Sequence, residues 1–90
     1  MSGSTLSHKI GAIMDDYNNL SISELKHRIS PLITEIRELV SERLFKKFMI
    51  EYDCVKNECI YGDNDEYTEM VKYDIIKVLK TVNDEINNLM

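Results

Sequence analysis

The apolar positions of the chain fall into three stripes with helical spacing. Between Pro31 and Cys59, the residues Ile33, Ile36, Val40, Leu44, Phe48, Tyr52, Val55 and Cys59 recur at steps of three and four, which lines one face of a 3.6-residue period. Ser30 suits the N-cap and Pro31 the first helical position, where a missing N–H costs nothing. Neither Gly nor a further Pro interrupts the run, so the spacing predicts one helix over 31–60. At about 1.5 Å per residue it would be roughly 43 Å long, more than a compact domain of this size is wide. Such a helix must be covered by its neighbours or by a second copy of the chain.

The first stripe, Leu6, Ile10, Ile13, Tyr17 and Leu20, predicts a helix over 6–19 behind a small polar tail, residues 1–5, expected to be disordered. Ser21 and Glu24 have the form of a capping box and open a short helix over 22–29, which Pro31 closes by disfavouring helical geometry at Ser30. The last stripe, Val71, Ile75, Val78, Val82, Ile86 and Leu89, predicts a helix over 66–89 with Lys72, Asp74, Lys77, Lys80, Asp84 and Asn87 on its solvent side. Gly62 suits the end of the long helix, and Asp63 or Asp65 can cap the next one. So short a connection makes the two antiparallel neighbours. The expected fold is therefore all-α: a single helical domain over 6–90, a small bundle built on the antiparallel hairpin of 31–60 and 66–89. Leu32, Leu39, Phe45 and Met49 widen the apolar face of the long helix beyond what one partner helix covers. Leu39, Phe45 and Met49 are accordingly expected at the interface of a homodimer.

Composition narrows the class further. Ninety residues with 43% apolar and 30% charged side chains describe one soluble domain, and three Gly with one Pro leave little room for the turns of an all-β fold. No apolar run approaches the roughly 18 residues needed to span a bilayer, and the N-terminus lacks the layout of a signal peptide. A cytoplasmic protein is expected, in the host cytoplasm if the source is viral. Cys54 and Cys59 lack Cys-x-x-Cys spacing and would point in different directions on one helix, which fits two free thiols in a reducing compartment. A net charge of -5 argues against nucleic acid or an anionic membrane as partner. That acidity is concentrated in residues 61–90, which hold seven acids against three bases.

Catalytic chemistry finds no foothold. His8 and His27 have no Ser, Cys or Asp at a spacing that makes a nucleophile or a metal site. The run Asp63-Asn64-Asp65-Glu66 opens like a calcium loop, but Thr68 stands where that loop needs Gly and Asp74 where it needs Glu. The chain is expected to be no enzyme and to hold no metal or cofactor. What remains is recognition. Tyr61, Asp63, Asp65, Glu66 and Tyr67 place rigid aromatic area beside carboxylates at one corner, and Glu35, Glu38 and Glu42 form a second acidic line on the long helix. These residues are expected to bind a basic surface on a partner protein.

In size, acidity and helical character the chain is similar to the helical bacteriocin immunity proteins, and that likeness implies a basic toxin-like partner. The stretch Ile13-Met14-Asp15-Asp16-Tyr17-Asn18-Asn19-Leu20-Ser21, read as helix, turn, helix, resembles the small enterobacterial connector proteins, which implies a regulatory role. The leading expectation is a non-catalytic inhibitor, immunity-type or adaptor module. The alternative is a homodimeric structural or regulatory protein whose main role is self-assembly.

Overall fold

In the computed structural model, residues 2–61 and 65–89 are described, with side chains placed for 5–60 and 66–89. Five α-helices follow in order: α1 (Ser2–Asp16), α2 (Ile22–Ile29), α3 (Ile33–Leu39), α4 (Glu42–Tyr61) and α5 (Asp65–Asn88). Two 3-10 turns, Tyr17–Asn19 and Ser30–Leu32, link the first three, and no strand occurs among the described residues. The molecule measures 40 × 25 × 18 Å.

The helix anticipated over 31–60 is broken in two. Val40 is extended (φ -111°, ψ 164°), and Ser41 starts α4 afresh: its hydroxyl accepts from the Leu44 N–H at 3.3 Å. Its own N–H donates to the Glu85 carboxylate of α5 at 3.0 Å, so the break is satisfied by a distant helix. A β-branched residue followed by a capping Ser and Glu42 is a helix start in miniature, and it overrides an uninterrupted apolar period. The break shortens the longest straight element to α5. At the N-terminus the helix reaches back to Ser2, where a disordered tail was expected, and it ends at Asp16. Leu6 is wholly buried and Ser7 Oγ lies 2.8 Å from Asn83 Oδ1 and 2.9 Å from Asn87 Oδ1, which fastens this end to α5. Met1 and residues 62–64 lie outside the described residues.

Local signals place α2. The Ser21 N–H donates to Glu24 Oε1 at 3.3 Å while the Glu24 N–H donates to Ser21 Oγ at 3.1 Å, a capping box closed in both directions. Pro31 then sits inside a 3-10 turn rather than at the head of a long helix. Arg28 reaches Asp16 across the link at 3.9 Å.

Helix α5 is the packing centre: its largest interfaces are with α4 and with α1, whereas α2 packs on α4. Its buried seam is Val71, Ile75, Leu79, Val82 and Ile86. The expected seam named Val78 and Leu89 instead of Leu79, yet Val78 is half-buried and Leu89 is 63% exposed. Facing the seam are Leu6, Ile10 and Ile13 from α1 and Leu44, Phe48, Tyr52 and Val55 from α4, with Leu25, Ile29, Leu32 and Ile36 closing the core. Phe48 is its largest fully buried side chain, and Tyr52 stacks on it at 6.2 Å between ring centroids. Two charges break the apolar rule. Lys72, assigned by its spacing to solvent, is 5% exposed, with Nζ 3.7 Å from Glu69. Glu58 is equally buried, and neither carboxylate oxygen has a hydrogen-bond partner among the described residues.

A buried carboxylate without a partner loses its hydration and regains nothing. Glu58→Met, close in length and apolar, should therefore raise unfolding free energy by about 1–3 kcal/mol, read from the urea midpoint; a lower midpoint would mean the carboxylate is satisfied after all. A second change tests α1. Gly11 lies inside that helix, and a Cβ added there meets nothing within 4 Å. Gly11→Ala should add about 0.5–1 kcal/mol by lowering the entropy of the unfolded chain, with the melting temperature as readout.

Candidate protein-binding surface

The acidic corner anticipated from the sequence is only partly within view. Glu66 and Tyr67 stand exposed in the first turn of α5, Tyr67 at 50%. Tyr61 closes α4 and Asp65 opens α5, but their side chains, like the whole of Asp63, lie outside the described residues. Tyr52, one of the apolar stripe, is buried against Phe48 with Lys56 Nζ 6.0 Å from its ring centre.

The second acidic line is divided. Glu35 and Glu38 belong to α3 and Glu42 to α4, and the extended backbone at Val40 takes them off a common helical face. Glu35 is half-buried, Glu38 exposed, and Glu42 pairs with Lys46 one turn on, at 3.6 Å. Leu39, Phe45 and Met49 are half-buried and packed against the chain's own core, Phe45 with its ring 6.1 Å from that of Phe48.

A different surface is left open. Along the outer side of α5, Glu66, Met70, Tyr73, Lys77, Lys80 and Asp84 recur at steps of four and three, and all six are exposed. Met70 is 56% and Tyr73 59% exposed, large values for apolar and aromatic side chains. Glu69 flanks them with an exposed carboxylate. On either side of this ridge runs a groove. Toward α1 it has a volume of about 600 Å³ and is walled by Met14, Tyr17, Tyr73 and Ile76; toward α4 it has about 450 Å³ and is walled by Ile50, Glu51, Asp74 and Val78. Lys77 and Thr81 border both.

The lysines of this ridge were legible as a solvent face, but Met70 and Tyr73 were not assigned to it. The available signal was their position: both fall outside the apolar seam, on the charged side, where an apolar residue has no core to enter. Compared with models of protein families, with curated proteins and with solved structures, the chain matches none of them.

Other chemistry is thin. His8 and His27 are exposed, and among the described residues no three His, Cys, Asp or Glu side chains come together as metal ligands. No helix among them is long and apolar enough to cross a membrane. Cys54 and Cys59 are free and half-buried. Burial pushes the Cys54 thiol above its ordinary range, helped by Glu51, Asp74 and Asp53; burial likewise raises Cys59, with Lys26 opposing and Glu58 adding. A raised thiol holds less thiolate at a given pH, and thiolate is the reactive form. Both cysteines should therefore alkylate more slowly than glutathione at pH 8, with rates still climbing at pH values where glutathione has levelled off. Mass-resolved iodoacetamide labelling reads each site separately; glutathione-like rates would show that the thiols are open to solvent.

Proposed function

We propose that the chain is a non-catalytic protein-binding module, an inhibitor or adaptor, that docks the outer face of α5 against a basic surface of another protein. The observation that carries this reading is the pair Met70 and Tyr73, left exposed on a regular helical ridge beside the carboxylates of Glu66 and Glu69. Tyr is enriched among the anchor residues of protein interfaces and Met packs adaptably against a partner, while peripheral carboxylates speed encounter with a cationic partner more than they set affinity. An acidic whole, at -5, favours basic partners over nucleic acid or anionic membrane. The hairpin of α4 and α5 would serve as the rigid frame for this face, and Glu35, Glu38 and Glu42 as a further acidic surface near its other end.

The test is comparative capture. Wild-type protein and the double variant Glu66→Lys/Tyr73→Ser, both immobilised, are exposed to an extract of the source cells, and retained proteins are identified by mass spectrometry. A basic protein held by the wild type and lost by the variant is expected, with an association rate at low salt reduced roughly tenfold for Glu66→Lys alone. Identical retained sets would remove this face from the interface.

A further inference from the structure

We infer that the outer face of α5 also binds itself, pairing antiparallel with α5 of a second copy so that Tyr73 meets Tyr73 across a twofold axis. This rests on the reading of that face as a docking surface and names one partner for it. The argument is the order of side chains along the ridge: carboxylates at Glu66 and Glu69, the apolar Met70 and Tyr73 in the middle, then ammonium groups at Lys77 and Lys80. When two such helices run in opposite directions with Tyr73 at the centre, Glu66 of each lies opposite Lys80 of the other and Glu69 opposite Lys77. Met70 lies opposite Ile76, which lines the groove between α1 and α5. Every charge on this stretch meets its opposite, twice over, because an isologous contact repeats each pair.

Other registers do this less completely: with Met70 facing Tyr73, Glu66 meets Lys77 but Glu69 meets Asp74. In parallel register each residue faces its own copy, which sets Glu66 against Glu66 and Lys77 against Lys77. Shifting the antiparallel register by one turn, so that Tyr73 faces Lys77, sets Glu66 against Asp84. The ridge also has its grooves beside it, so the Tyr73 and Met70 side chains of one copy have a hollow of about 600 Å³ to enter on the other, lined by Met14, Tyr17 and Ile76 together with Lys77, Lys80 and Asp84. From Glu66 to Lys80 the contact spans about 21 Å of helix. Such a contact is at the small end of stable protein interfaces, so the association should be concentration-dependent, in roughly the micromolar to millimolar range. Leu39, Phe45 and Met49, already packed inward, play no part in it.

Charge exchange tests the register. Sedimentation equilibrium over a dilution series should give a rising mass for the wild type. Lys77→Glu/Lys80→Glu alone and Glu66→Lys/Glu69→Lys alone should remain monomers, because each now faces like charge. An equimolar mixture of the two should recover the dimer mass, since every pair is again opposite. If a second cation near buried Lys72 disturbs the fold, Glu66→Lys/Glu69→Gln gives the same contrast with two pairs in place of four. A cysteine scan fixes the axis: Tyr73→Cys should form an intermolecular disulfide on mild oxidation, and Asp84→Cys should not. A wild type monomeric throughout, association indifferent to both charge reversals, or equal cross-linking at 73 and 84 would each overturn the inference. Monomeric behaviour with retained capture of a foreign basic protein would leave the proposed function standing and remove only self-pairing.

Discussion

Everything in this fold depends on one helix being apolar enough on its inner side to serve two neighbours at once. Val71, Ile75, Leu79, Val82 and Ile86 of α5 take α1 on one flank and α4 on the other, while α2 reaches the core by way of α4. A seam one residue wide at each turn suits a single partner helix; serving two requires a broader arc, and half-buried Ile76 and Val78 on either side of Leu79 supply it. The cost of that breadth is that position 72 also turns inward, which is how a lysine comes to be buried with its ammonium group 3.7 Å from the exposed Glu69.

Helical class, the capping box at Ser21 and the spacing of the buried α1 positions were legible because each is a local property of a few neighbouring residues. The break at Val40–Ser41 was less so, because its signal competes with a strong one. An apolar period running through Ile36, Val40 and Leu44 argues for continuity, and no Gly or Pro contradicts it. The cap at Ser41 is complete only when Glu85, 44 residues away, accepts its N–H. Likewise, the choice of Leu79 over Val78 in the α5 seam is made by which flanks are covered, and covering is a tertiary fact. Part of the expected site, Glu66 and Tyr67, stands exposed where an acidic corner needs it. The second acidic line, Glu35, Glu38 and Glu42, was divided by the helix break, while the side chains of Tyr61 and Asp65 and the whole of Asp63 lie outside the described residues.

The outer face of α5 shows how one helix can hold two kinds of information. Its inner period is set by burial and is apolar at every turn, with Lys72 the buried exception. Its outer period follows the same geometry but is free of packing, so a regular alternation there of acid, apolar and base is not imposed by folding. Met70 and Tyr73 gain nothing for the core from being where they are. Glu58, in turn, is a buried carboxyl group without a donor among the described residues, set where α4 approaches its end.

The bonds from Ser7 to Asn83 and Asn87 join positions 76 and 80 residues apart. They make the centre of this bundle non-local. The cost of bringing two segments together grows with the logarithm of the chain between them, so the union of α1 with α5 carries far more loop entropy than the contacts between helices adjacent in sequence. A fold whose largest interfaces include one of this span has a higher contact order than an up-and-down bundle of the same length, and it should fold more slowly for that reason.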